Sequence, residues 1–273
     1  MNSLEMCAGA GGQALGLERA GFEHEALVEW ELAACTTLML NRPQWNVIHG
    51  DLAEFNGRPY QGVDLVAGGV PCPPFSKAGK QLGANDERDL FPQAIRIVDE
   101  TRPQAVMLEN VRGLFDAVFV DYRQKIARQL QALGYWTDWH LFNAADFGVC
   151  QLRPRVVFVA VRKDIAPYFR WPAPDMKLGP TRARAAWAAL GVEGKSLADE
   201  APQADFVGTP RLTVRMCARV QGFPDDWQFA GKKTAAYRQV GNAFPPPVAH
   251  AVSRQIAEAI NAGAAARLMK KAA

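Results

Sequence analysis

The residue in this sequence best placed for covalent chemistry is Cys72, in the run Gly68-Gly69-Val70-Pro71-Cys72-Pro73-Pro74-Phe75-Ser76. Three prolines and two glycines fix a backbone rather than fill a core, and the run follows an apolar stretch that ends near residue 67. A thiol on a rigid loop at a strand end is pre-organised as a nucleophile, given some lowering of its pKa. Cys7, Cys35, Cys150 and Cys217 carry no such surroundings and read as small buried hydrophobes. In Met107-Leu108-Glu109-Asn110-Val111 an apolar run stops at a carboxylate. A neighbouring parallel strand would bring Glu109 to the same sheet edge as Cys72, as a proton donor; the competing reading is a carboxylate capping the next helix. In Gln151-Leu152-Arg153-Pro154-Arg155, alternate side chains of an extended segment share a face. Arg153 and Arg155 therefore read either as a solvated edge or as guanidinium groups forked onto a base carbonyl or a phosphate.

A second group of residues suits a nucleoside. Gly9-Ala10-Gly11-Gly12-Gln13-Ala14 matches GxGxxG/A between a first strand and a helix, where glycines let backbone approach a nucleotide. The motif alone is equally served by tight packing. Glu29 ends the second apolar run, 20 residues after Gly9, where a carboxylate can accept hydrogen bonds from ribose hydroxyls. Trp30 follows and offers a face for adenine, though a lone tryptophan more often packs. Asp51 sits after the third run, either reaching an adenine amino group or capping a helix. At this point NAD and S-adenosylmethionine (SAM) both fit.

These positions require a sheet whose strand ends converge. Over the first 160 residues, short apolar runs alternate with helically spaced ones, the pattern of a doubly wound α/β fold with a mostly parallel sheet covered on both faces. Strands are expected near 4–8, 25–29, 46–49, 63–67, 104–109, 136–142 and 155–161, with helices over 13–20, 32–41, 90–100 and 121–133. From about residue 163 to 210, six prolines and mixed charge break the pattern, so an inserted lobe is expected. A short helix is expected over 213–221, and Pro245 to Pro247 open a last helix reaching about residue 262, with a frayed tail.

Composition sets outer limits. A chain of 273 residues with 49% hydrophobic content buries one sizeable core. No run of about 18 apolar residues exists, and the N-terminus lacks a basic start and a long apolar stretch, so a cytoplasmic protein without a membrane span is expected. Five scattered cysteines, none in CxxC spacing, argue against a disulfide framework and against a zinc site. A formal charge of +3 permits a polyanionic partner without requiring one.

The order of the motifs is more specific than any one of them. EMCAGAGG (5–12), VEWE (28–31), GDL (50–52), GGVPCPPFS (68–76), ENV (109–111), QLRPR (151–155), RLTVRMCARVQGFPDDW (211–227) and YRQVGNAFPPPVA (237–249) follow one another. In this the sequence resembles the bacterial DNA (cytosine-5) methyltransferases from Glu5 to Val252. The resemblance implies a seven-stranded, Rossmann-like SAM-dependent methyltransferase sheet. It divides the chain into a catalytic domain of residues 1–162 plus 237–265 and a small target-recognition lobe, 163–236. It also implies that Cys72 adds to C6 of a flipped-out cytosine, Glu109 protonates N3, and Arg155 holds O2 with Arg153 in support. Cys7, Ala8, Gly9, Gly11, Gly12, Glu29, Trp30, Asp51, Leu52, Pro71, Asn242 and Ala243 would surround SAM, with no metal. Residues 76–90 would close over double-stranded DNA, with Ser76, Lys77, Lys80 and Arg88 among the DNA contacts. Arg170, Trp171, Arg182, Arg184 and Lys195 would add contacts from the lobe, unless its mixed charge is only a solvated face.

The sequence departs from the family at Cys7, where Phe is usual, and at Pro73, Cys150 and Phe244, where Gln, Pro and Val are common. No catalytic group is lost. The stretch between QLRPR and RLTVR holds about 55 residues, short for target recognition. That shortness leaves room for a tRNA substrate, or for a partner subunit in place of a monomer. A non-catalytic DNA-binding subunit conflicts with the intact Cys72, Glu109, Arg153 and Arg155 set, and an NAD-dependent dehydrogenase rests on the glycine turn alone.

Overall fold

The computed structural model describes residues 1–71, 89–174 and 212–272. Seven strands form one sheet: β1 (Asn2–Met6), β2 (Glu23–Glu29), β3 (Val47–His49), β4 (Leu65–Gly69), β5 (Ala105–Val111), β6 (Tyr135–Asn143) and β7 (Pro154–Arg162). Their order is β3-β2-β1-β4-β5-β7-β6. Neighbours run parallel except β7, which lies antiparallel between β5 and β6. Helices are α1 (Gly12–Arg19), α2 (Leu32–Asn41), α3 (Phe91–Thr101), α4 (Val120–Ala132), α5 (Val214–Val220), α6 (Lys233–Asn242) and α7 (Pro246–Ala272).

The apolar runs are continuous because the central strands are buried on both faces. Val66, Val106, Leu108 and Phe158 face α3 and α4, against Phe91, Ile97, Val98, Ile126 and Leu130. The alternate residues Leu65, Ala67, Met107, Val157 and Val159 face α7, against Val248, Val252, Ile256 and Ile260. A third cluster joins the C-terminal segment to the cofactor end of the sheet. There Phe223, Trp227 and Val240 pack on Ala14 and Leu15 of α1, Leu27 of β2 and Leu38 of α2. The Gln221-Gly222-Phe223-Pro224 element thus places Phe223 under the glycine-rich turn.

Every strand lies within two residues of its expected span. Two helices differ from expectation. α6 was not foreseen: only Ala236, Gln239 and Val240 are buried along it, which leaves little apolar periodicity to read. α7 continues to Ala272 instead of fraying after residue 262. Residues 263–272, GAAARLMKKA, are rich in strong helix formers, and Lys270 and Lys271 in the last turn favour its dipole. Among the described residues, no helix is long and apolar enough to cross a membrane. Cys72, Ser76, Lys77, Lys80, Arg88, Arg182, Arg184 and Lys195 lie outside the described residues.

Candidate active site

The parallel strands β1 to β5 all end on one edge, and β7, running the other way, begins there. Along this edge opens a cleft of about 740 Å³. Cys7, Ala8, Gly9, Gly12, Glu29, Trp30, Asp51, Leu52, Pro71, Glu109, Arg155, Asn242 and Ala243 line it, so residues far apart in the sequence share one cavity. Pro71, covalently joined to Cys72, is the last described residue before the nucleophile candidate. Gly11 and Arg153 do not line the cleft.

The three glycines of the turn do different things. Gly9 and Gly11 have φ of 54° and 83°, left-handed values that an L side chain resists. A Cβ at Gly11 would lie 2.7 Å from Leu38 Cδ2 and 2.9 Å from Trp227 Cζ2, and one at Gly12 would lie 2.3 Å from the Phe244 carbonyl oxygen. Packing therefore demands both. A Cβ at Gly9 would meet nothing within 4 Å, so the open side of the turn is at Gly9.

Glu29 is held by backbone. Its Oε2 accepts from the Gly9 N–H at 2.7 Å and its Oε1 from the Glu31 N–H at 2.7 Å. The contact ties the glycine turn to the end of β2. Trp30 is 67% exposed beside the cleft, and its carbonyl accepts from His49 Nε2 at 2.9 Å. Asp51 closes a turn and caps no helix: its Oδ1 accepts from the Ala53 N–H at 2.8 Å, no helix begins between β3 and residue 58, and the residue still lines the cleft. Cys7 adopts φ 52° there, and burial, with Glu29, Glu5 and Asp51 nearby, pushes its thiol far up, so it is no nucleophile.

At the other end of the cleft, β4 and β5 align Gly69 with Glu109. Glu109 is 8% exposed, and Arg155 Nε lies 2.7 Å from its Oε1. The Nε–H direction is poor for a hydrogen bond to any described acceptor, so charge rather than alignment holds this contact. Burial raises the Glu109 pKa and outweighs the opposing pull of Arg155 and Arg153. A carboxyl that keeps its proton longer than usual is what a proton donor needs.

Arg153 and Arg155, expected on one face, both act on Glu109 through their charge but take different contacts. Arg155 turns to Glu109, whereas Arg153 donates from Nη2 to the carbonyls of Gly241 at 2.5 Å and Ala243 at 3.0 Å. Burial first, then repulsion from Arg155, lowers the Arg153 pKa to about 10.

Other residues enter the site unannounced. Asn110, quoted within ENV but given no task, donates from Nδ2 to the Val70 carbonyl at 3.2 Å, two residues before Cys72. Glu5 lines the cleft at 0% exposure, its pKa raised well above the usual range by burial, with the Ala14 N–H pulling it partly back. Neither of its oxygens nor the Gln13 amide makes a well-aligned hydrogen bond among the described residues. Glu5 reads in sequence only as a polar residue in a strand. The Arg170 guanidinium donates to the carbonyls of Pro167 and Phe169, and Trp171 packs on Phe142 and Phe169 with its Nε1 on Asp138. Among the described residues, no cluster of three His, Cys, Asp or Glu side chains is arranged to hold a metal.

Known proteins share this chain's sequence and its sheet. The Type II methyltransferase M.NgoMIV of Neisseria gonorrhoeae is 54% identical over 304 residues, covering 94% of this chain and 97% of that one. Because that alignment is longer than this chain, the relative carries residues that this chain lacks within the matched span. The Type II methyltransferase M.NaeI of Lentzea aerocolonigenes is 46% identical, covering 94% of this chain and 75% of its own. The crystal structure of the S. pombe Dnmt2 methyltransferase superposes with a TM-score of 0.72 at 16% identity, covering 96% of this chain and 99% of that one, a likeness of fold. The family model for C-5 cytosine-specific DNA methylase matches residues 1–190 and 192–258. With the sheet, the cleft and the ordered motifs in agreement, the chain belongs to the C-5 cytosine-specific DNA methylase family.

Proposed function

We propose that this chain methylates carbon 5 of a cytosine flipped out of duplex DNA, with SAM as methyl donor and Cys72 as nucleophile, as the modification enzyme of a restriction-modification pair. The observation that carries the reading is the single cleft. It joins a nucleoside end, built from Gly9, Glu29 and Trp30, to a base end, built from Glu109 and Arg155. The relatives' designation as Type II methyltransferases supports the pairing with an endonuclease.

The residues present fit SAM. Gly9 offers an open backbone, Glu29 a carboxylate for ribose hydroxyls, Trp30 a free aromatic face and Asp51 a second carboxylate. When bound, SAM supplies an electrophilic methyl group on its sulfonium.

Cytosine C5 is a weak nucleophile. In the proposed reaction the Cys72 thiolate forms a bond to C6, and the electron pair of the C5–C6 double bond moves toward C5. Glu109 donates its proton to N3 and so neutralises charge that would otherwise build on the ring. Arg155 holds O2 and keeps Glu109 in place. After methyl transfer to C5, a solvent water takes the C5 proton, the electron pair re-forms the C5–C6 double bond and expels the Cys72 thiolate, and N3 returns its proton to the Glu109 carboxylate. Stacking covers the face of C6 and base pairing occupies N3 in a duplex, so the base is extruded at a cost of a few kcal/mol.

The test is transfer of tritiated methyl from SAM to mixed-sequence duplex DNA and, in parallel, to tRNA, with modified positions read by bisulfite sequencing. Labelled 5-methylcytosine in DNA is expected. Label in tRNA alone would overturn the DNA assignment.

A further inference from the structure

We infer that Arg153 is a positioning residue for the SAM end of the cleft, a strut between the base-binding edge and the cofactor wall, rather than a group that touches the cytosine. The inference rests on the proposed SAM reading of the cleft.

Arg153 immediately precedes β7, and its own N–H donates to Asn143 Oδ1 at 3.0 Å, which anchors its backbone to the end of β6. Its Nη2 then spans to the carbonyls of Gly241 and Ala243, on either side of Asn242, where α6 ends and the turn to α7 begins. That turn forms a wall of the cleft through Gly241, Asn242, Ala243 and Phe244. Finally, the Phe244 carbonyl lies so close to Gly12 that a Cβ there would come within 2.3 Å, and Ala243 Cβ would be 3.2 Å from it. The turn thus sets how α1 and the glycine loop meet the cofactor.

At the base end the guanidinium bears on Glu109 through its charge and makes no hydrogen bond there with a described residue. Arg153 is absent from the cleft lining, whereas Arg155, two residues on, lies in it beside Glu109. Its Nε is buried and makes no hydrogen bond with a described residue, so among the described residues the two carbonyls are the hydrogen-bond partners of its charged head. Both carbonyls are held from one nitrogen, Nη2; a lysine ammonium, with three N–H donors, can serve the same pair, whereas a methionine of similar length can serve neither.

The test uses the full chain and SAM itself. SAM affinity is measured by calorimetry without DNA, and kcat and KM for SAM by tritium transfer to duplex DNA. Arg153→Met is expected to raise both the SAM dissociation constant and the KM for SAM roughly tenfold, the size expected for lost charge-assisted hydrogen bonds. The kcat at saturating SAM falls by less. Arg153→Lys recovers most of the affinity, to within about threefold of wild type. A general folding defect would instead lower kcat through loss of active enzyme and leave KM unchanged, and that outcome would overturn the inference. So would wild-type SAM affinity in Arg153→Met. If the wild-type chain itself bound no SAM, the reading of the cleft and this inference would fall together, whereas normal wild-type methylation with an unaffected variant would sink the inference alone.

Discussion

Arg155 Nε stands 2.7 Å from Oε1 of Glu109, and the carboxyl it faces still holds its proton more tightly than a free glutamate. The two facts are compatible because Glu109 is buried at the strand edge, and burial disfavours its anion more than the guanidinium favours it. Glu109→Gln keeps shape and hydrogen bonding but has no proton to give. It should lower kcat by about 10²- to 10⁴-fold with SAM affinity unchanged, measured by single-turnover methyl transfer. The wild-type rate should fall as pH rises through the elevated Glu109 pKa, and the limb should vanish in the variant.

Glu5 carries a stability signature of defined sign. Its pKa in the folded chain is raised well above that of an unfolded glutamate. The folded state therefore binds the proton more tightly, so its contribution is fully present below the unfolded pKa and is lost as pH rises through the folded one. Glu5→Gln removes a buried group that must otherwise charge or stay protonated. The variant should melt higher than wild type at pH 8, and the difference should shrink at pH 5, in paired calorimetric scans.

Gly9 and Gly11, two positions apart, should fail in opposite ways. Gly9→Ala introduces a side chain into open space on the cleft side at φ 54°, so SAM affinity should suffer while stability drops by only about 1–2 kcal/mol. Gly11→Ala drives a Cβ to 2.7 Å from Leu38 and 2.9 Å from Trp227. Its loss should be chiefly of stability, about 1–3 kcal/mol or more from overpacking and strain. Denaturant titration beside SAM calorimetry separates the two.

Trp30 and Trp227 make a second such pair. Trp30 is 67% exposed at the cleft, so Trp30→Ala should weaken SAM binding roughly tenfold, if stacking on adenine resembles other base stacking, with little change in melting temperature. Trp227 is 1% exposed, with its Nε1 donating to the Ala10 carbonyl at 3.1 Å. Trp227→Ala should cost about 3–5 kcal/mol of stability, read by urea unfolding.

Much of this architecture was legible in the sequence, for reasons that differ by element. β4, β5 and β7 are buried on both faces, so they read as unbroken apolar runs, and Glu29 and Glu109 stand out as carboxylates where such runs stop. α6 was illegible because it buries only a few residues. The glycine motif was visible as a motif, yet only packing against Leu38, Trp227 and Phe244 separates Gly11 and Gly12 from the open Gly9. Strand alternation brings Arg153 and Arg155 within electrostatic reach of Glu109, but it does not reveal that the Gly241 and Ala243 carbonyls, distant in sequence, hold Arg153. Asn110 bears on the Val70 carbonyl through a contact between neighbouring strand ends that spacing alone does not reveal.

The central claim is that Cys72 bonds covalently to cytosine C6, and trapping on a duplex carrying 5-fluorocytosine tests it most directly. Fluorine at C5 cannot leave as a proton does, so with SAM present the wild-type chain should form a complex that survives denaturing electrophoresis, and Cys72→Ser should form none. A denaturation-resistant complex in Cys72→Ser, or wild-type methylation of cytosine without any trapped complex on the fluorinated duplex, would contradict the account.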